Sequence, residues 1–365
     1  MHTFLYPTAT TFINSQPSLM DQNMGKDEIL EIEKIVTDGA VIISGSITNF
    51  SASVYISRTL LKFDTSDISR SVSVGDIPFP TMQLKLYSIE SKNIRDTYKI
   101  ECFPISGSWR NGIGKKYDAY NSNYGVSWVS RGDNSLGDWS NVGGDFYSGS
   151  HSSVIITQKQ DISIDVSNLI SDFFSGSIVD DGFLLKLSDE TSSVDYGTIR
   201  HFSMNTNTIY SPFLDIGWDD SEYNIVSSSV LDSNKQEYLV IPKNIKKIYN
   251  VDEIVRINLA VRPKYVNKTF QKWPNQTYPY NDYVASYVLP SSSYYAIVDA
   301  VTNEHILNYD QFTKVSSTDS GSYFFVDFSC FPRERYYKIH IKVIEENQTV
   351  NIYDTGIPFR ITGTS

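Results

Sequence analysis

Between Asn23 and Ser66 apolar and polar residues alternate in short runs bounded by turn signals. A period of two between turns is the pattern of a half-buried β-sheet, and it leaves little room for any other fold. Asn23-Met24-Gly25 reads as a polar turn, followed by Ile29, Leu30 and Ile32 set among acids. Leu60-Leu61-Lys62-Phe63-Asp64 repeats the pattern and closes on a Ser/Asp turn. The clearest instance lies near the other end. Tyr337, Ile339, Ile341 and Val343 alternate with Lys338, His340 and Lys342, and Glu346-Asn347-Gln348 turns the chain back to Val350 and Ile352.

The same reading places further strands at Phe4–Asn14, Ala40–Ile47, Val54–Asp64, Met82–Ser88 and Lys99–Ile105, and others up to Phe213–Trp218. One helix interrupts them: Val166, Leu169, Ile170 and Phe173 fall at i, i+3, i+4 and i+7, one apolar face, and Gly176 stands where a helix would stop. The expected fold class is therefore all-β. Residues 1–219 read as a jelly-roll-type β-sandwich and residues 220–365 as an immunoglobulin-like β-sandwich, joined at Gly217-Trp218-Asp219-Asp220-Ser221. The second half lacks the Cys-Trp-Cys core of an antibody domain, and no internal repeat links the halves.

Composition narrows the function. Of 365 residues, 40% are hydrophobic, enough to build cores, and 25 Tyr with 19 Phe suit pleated surfaces. A net charge of −11 opposes nucleic-acid binding, which needs Lys and Arg against phosphates, and opposes a polybasic membrane contact. The start of the chain shows no secretory signal, and no run approaches the ~20 apolar residues of a membrane span. Cys102 and Cys330, far apart, are expected as buried free thiols.

No catalytic constellation is visible. The five histidines are scattered, no nucleophile elbow or phosphate-binding loop occurs, and acid pairs such as Asp180-Asp181 and Glu31 with Glu33 are common in so acidic a chain. Asp21, Asn23 and Asp27 around Gly25 offer hard oxygens for a structural Ca²⁺, against the simpler reading of a plain turn; no other cofactor is expected. The stretch 106–150 is long, rich in Gly, Asn, Ser and aromatics, and weakly periodic. Its Trp109, Trp128, Trp139 and Tyr124 are candidates either to stack on a glycan or to anchor the loop on the sandwich. Trp273, Tyr265, Tyr278 and Tyr280 form a second aromatic cluster, a candidate assembly interface.

Through the first 218 or so residues a series of pieces follows in a set order: Tyr6-Pro7-Thr8-Ala9-Thr10-Thr11-Phe12-Ile13 and Asn23–Ile32, then Ser57-Arg58-Thr59-Leu60-Leu61-Lys62-Phe63-Asp64 and Met82–Tyr87. Trp109, Gly112-Ile113-Gly114, Gly125–Trp128, Trp139, Gly143-Gly144-Asp145, Asp181–Lys186 and Ser211–Ile216 continue it. In order and spacing these pieces resemble the DNRLRE, or carbohydrate-binding-like, family of β-sandwich modules. The segment Asp38–Tyr55 is an insertion beyond a minimal member. Such modules occur in bacteriophage structural proteins and bacterial surface proteins, and the family brings no catalytic residues. Together with the absent signal, the resemblance implies a non-enzymatic virion structural protein of a tailed bacteriophage. A decoration, neck or collar, fibre or baseplate-associated part would fit, oligomeric in the particle, with other virion proteins as partners and a host-surface glycan as a further ligand. The alternative is a carbohydrate-binding or adhesin module of a cell-surface protein.

Overall fold

The structure, a computed structural model, describes residues 1–43, 46–91, 93–118, 125–132, 135–157, 160–226, 229–231, 238–264, 287–345 and 348–363. They fall into two compact units, one of Phe4–Ile216 and one of Gly217–Ser365 with Met1–Thr3. The chain is all-β as its alternation requires, with mainly antiparallel sheets and two short α-helices among the described residues.

The first unit is built on β1 (His2–Leu5), β2 (Ala9–Asn14), β3 (Ile29–Ile43), β4 (Ser46–Lys62), helix α1 (Ser66–Val74), β5 (Thr81–Leu86), β6 (Thr97–Pro104), β7 (Ser152–Thr157), β8 (Ile162–Asp165), helix α2 (Ser167–Phe174), β9 (Phe183–Leu187), β10 (Gly197–Phe202) and β11 (Phe213–Gly217). One sheet runs β1-β11-β5-β8 and the other β10-β3-β4-β9-β6-β7, with β2 also on β4. Met82, Leu84 and Leu86 from the first sheet and Leu60, Ile100 and Leu184 from the second are buried. The sequence pattern takes Phe4–Asn14 as one strand; the structure breaks it around Pro7, which has no N–H for a ladder, and gives its halves to different sheets. The helix expected after Asp165 is α2, and its Val166, Leu169, Ile170 and Phe173 are buried as the spacing demands.

Two departures concern 38–74. The expected strand Ala40–Ile47 runs through a reversal, because Ile43 pairs with Ser46 and the chain doubles back as a hairpin. Helix α1 was not visible as a periodic stripe, and none of its residues is buried. At the base of the hairpin β2 wedges between its strands. It pairs with β4 from Asn14↔Ser57 to Ala9↔Lys62, while β3 pairs with β4 only from Glu33↔Ser57 outward. Ser57 sits at the fork, its hydroxyl 3.0 Å from the carbonyls of both Ile13 and Glu31. Past the fork the two strands run on as a ribbon. β10 stops pairing with β3 at Lys34 and β2 stops pairing with β4 at Ser57, so among the described residues no third strand joins the remainder.

The second unit comprises β12 (Ser229–Val230), β13 (Tyr238–Pro242), β14 (Ile248–Asn250), β15 (Ile254–Pro263), β16 (Tyr287–Val288), β17 (Ser293–Asp299), β18 (His305–Leu307), β19 (Ser316–Thr318), β20 (Gly321–Asp327), β21 (Arg335–Ile344), β22 (Val350–Asp354) and β23 (Phe359–Thr362). Its sheets run β12-β16-β15-β20-β19, with β13 on β15, and β14-β23-β21-β17-β18, with β22 on β21. Tyr295 of β17 stacks on Phe324 of β20 at 4.2 Å between ring centres, joining the two sheets face to face. The inward residues of β21, Tyr337, Ile339, Ile341 and Val343, are all buried, as their alternation requires.

Candidate functional site

The loop between Ile105 and Ser152 is held by one side chain more than any other. Asn23 is 1% exposed. Its amide donates to the carbonyls of Asn111 and Val126, both at 2.8 Å, and its Oδ1 accepts from the N–H groups of Gly25 and Gly114. Asn111 returns a bond from its own amide to Gly25 O. The glycines are sterically required here: a Cβ on Gly25 would lie 2.0 Å from Asn111 O, and one on Gly125 would lie 2.4 Å from Asn23 Nδ2. The Asn-x-Gly signal thus marks a buried polar knot rather than an exposed turn.

That knot bears on the calcium reading of Asp21, Asn23 and Asp27. Asn23 Oδ1 is already taken by two N–H groups, and Asp27 Oδ2 accepts from Lys116 N at 2.8 Å. Burial, the larger cause, and the neighbouring Glu31 raise the Asp27 carboxyl to about 6 against that backbone bond. Among the described residues no group of three or more His, Cys, Asp or Glu is placed to hold a metal.

The indoles assigned to a glycan platform are core residues. Trp109, Trp128 and Trp139 are 6%, 7% and 5% exposed and pack with Ile13, Leu60 and Leu184 in one cluster. Trp109 Nε1 donates to Asp181 O at 2.8 Å and Trp139 Nε1 to Ser127 O at 3.1 Å, so the polar edges are satisfied inside. Rings covered in this way offer no free face to a sugar, which corrects the platform reading in favour of anchoring. Tyr124 lies outside the described residues, as do Trp273, Tyr265, Tyr278 and Tyr280.

Charged groups are likewise engaged. The Arg58 guanidinium is bidentate to Glu190, at 2.9 and 2.6 Å, bonds Gly143 O at 2.7 Å, and lies 5.1 Å from the Trp128 ring centre. Lys186 approaches the same carboxylate at 3.3 Å. Glu31 and Glu33, two apart on β3, share a face, the arrangement a carboxylate pair needs. Yet Glu31 is bound by Lys116 and Arg200, and Glu33 accepts from Asn14 and from Thr198. Both are buried, and their oxygens are committed to structural partners. His201 is wholly buried, its imidazole pushed down to about 4 by desolvation, and neither ring nitrogen finds a hydrogen-bond partner among the described residues.

No protein-family model matches the chain, and no curated protein matches it.

One opening in the first unit was not foreseen. A groove of 500 Å³ lies beside α1 and α2, with Phe63, Phe173 and Phe174 against Thr65, Asp64 and Asp180. Thr65 Oγ1 donates to Asp180 Oδ2 at 2.9 Å, and burial raises the Asp180 carboxyl. These residues are scattered along the sequence, and the only signals were an aromatic pair in a helix and a Ser/Thr/Asp turn. Aromatic carbon beside hydroxyls and carboxylates can hold a polar ring.

Proposed function

We propose that this is a non-catalytic structural protein that acts by presenting surfaces within an assembly, and that the assembly is the virion of a tailed bacteriophage. The ribbon of β3 and β4 carries the proposal. It extends past its sheet with both outer edges unpaired among the described residues. Two-stranded ribbons are marginal alone in water and are completed by further strands. From Gly39 to Ser57 the sequence holds no charged residue, which suits a contact that becomes buried. Engagement of the candidate acids, Trp rings and Asn23 in structural bonds also supports a role other than chemistry. The virion part of the reading rests on the family resemblance of the first segment.

Replacing residues 39–52 with a two-residue turn tests it. The full chain should co-sediment with purified particles through a density gradient, and the shortened chain should remain free while melting as before. Equal incorporation of both forms, or recovery of the full chain only as free protein, would refute the role given to the ribbon.

The groove beside α1 and α2 favours a second reading, a glycan-binding module. Binding of a neutral oligosaccharide that Phe174→Ala abolishes without loss of stability would raise that reading above assembly.

A further inference from the structure

We propose that the second unit carries a binding site for an acidic sugar, a polyhydroxy ring bearing a carboxylate or sulfate, between Lys243 and Arg256. A cavity of 360 Å³ there is lined, among the described residues, by Lys243, Arg256, Asn258, Ser320 and Gly321, with Leu259 and Ser322 at its floor. Among the described residues no carboxylate lines it, although the chain carries a net charge of −11. Among the described residues neither cation is paired with a carboxylate, whereas Lys246 nearby is paired with Glu253 at 3.0 Å. Two cations without a carboxylate partner among the described residues, lining one hollow of an acidic protein, call for an anion.

The hollow is built into the sheet. Ser322 of β20 pairs with Leu259 of β15 and turns its hydroxyl into the core, accepting from Leu289 N at 2.9 Å, while Gly321 beside it has no side chain to fill the hollow. Lys243 is fixed by its own backbone, which donates to Asn258 O at 2.8 Å. Asn244 ties the same segment down, donating to Arg256 O at 2.7 Å and accepting from Asn258 N at 2.9 Å. The Arg256 guanidinium lies over the buried Tyr323 ring, 3.7 Å from its centre. Stacking occupies one face of a guanidinium and leaves its N–H edge free, the edge that binds carboxylate, sulfate or phosphate oxygens in pairs. The volume exceeds what a bare oxyanion fills, and the amide of Asn258 with the Ser320 hydroxyl suits the hydroxyls of a sugar body. This site does not depend on the assembly role and can fail or stand separately from it.

Calorimetric titration of the full chain at low ionic strength with glucuronate, glucose 6-sulfate, glucose and inorganic sulfate tests it. The two acidic sugars should bind, glucose should not, and added salt should weaken the binding. Arg256→Gln and Lys243→Gln should each weaken it by about tenfold or more, through loss of a charge-assisted contact, with the melting temperature unchanged. Lys247→Gln, an exposed cation outside the cavity, should change nothing. No binding of either acidic sugar, equal binding in the Arg256 and Lys243 variants, or binding of glucose as tight as of its acidic relatives would overturn the site. Inorganic sulfate binding as tightly as the sugars would overturn the assignment to a sugar.

Discussion

The loop between β6 and β7 and the ribbon of β3 and β4 invert the usual link between regular structure and firm packing. Among its described residues the loop has only isolated bridges, yet three of its Trp residues lie in the core and the Asn23 side chain holds it at three separate points. The ribbon has a ladder from Glu33↔Ser57 to Ile43↔Ser46, with one shift of register between Val41 and Ile42, and among the described residues no further strand beside most of it. Backbone pairing fixes a shape, but burial of side chains sets how much free energy holds a segment in place. The loop belongs to its unit's core, and the ribbon is the segment to which we assign the assembly contact.

The largest expected effect is at Trp128. Trp128→Ala removes a ring from the cluster and the platform beneath Arg58, and should cost about 3–5 kcal/mol, read as a lower urea midpoint by tryptophan fluorescence. A midpoint left in place would mean that the ring is not part of the core, and the contrast between loop and ribbon would fail. Asn23→Ala should cost about 3 kcal/mol, because it leaves two carbonyls and two N–H groups of the knot without their partner.

Acid should weaken the first unit through His201. Its folded pKa of about 4 lies below the usual value of 6.5, so between those values the unfolded chain binds a proton that the folded one does not. Stability therefore falls as pH drops from 6.5 to 4, by about 3 kcal/mol for this one group. Asp27 acts in the opposite sense: its carboxyl is raised to about 6, so its contribution to stability is lost as pH rises through 6. Chemical denaturation across this range should show a shallower acid loss in His201→Phe. An unchanged slope would place the acid sensitivity elsewhere. The smallest effect belongs to the ribbon, whose replacement by a short turn should shift stability of the isolated chain by less than about 0.5 kcal/mol. A shift of several kcal/mol would make it a core element.

Much of the fold could be read from the sequence wherever a residue's neighbours lie two or four positions away. Tyr337, Ile339, Ile341 and Val343 on β21, and Leu169, Ile170 and Phe173 on α2, declare their buried faces by spacing alone. Helix α1 escaped because it buries nothing: Ser-Asp-Ile-Ser-Arg-Ser-Val-Ser-Val sets only Ile68 and Val72 at i and i+4, and its Ser-Val alternation imitates a strand. The stop at Gly75, with φ of 86°, was the one local clue. The fork at Ser57 and the Asn23 knot join residues far apart in the chain, the knot across 88 and 103 positions, and no local pattern encodes such a meeting. The Trp residues were recognisable as important, but their type does not say whether a ring faces a ligand or the core. The cavity at Lys243 and Arg256 was missed because its cations become neighbours only through the register of β13 on β15.

Amide hydrogen exchange on the isolated chain tests the contrast most directly. The N–H groups of Val126, Trp128 and Trp139, which donate to the carbonyls of Arg110, Met20 and Val129, should exchange as slowly as the central strands of the first unit. Those of β3 and β4 beyond Val36 and Val54 should exchange much faster, despite their cross-strand pairing. Fast exchange throughout the loop together with slow exchange along the ribbon would contradict the assignment of the loop to the core and of the ribbon to an assembly surface.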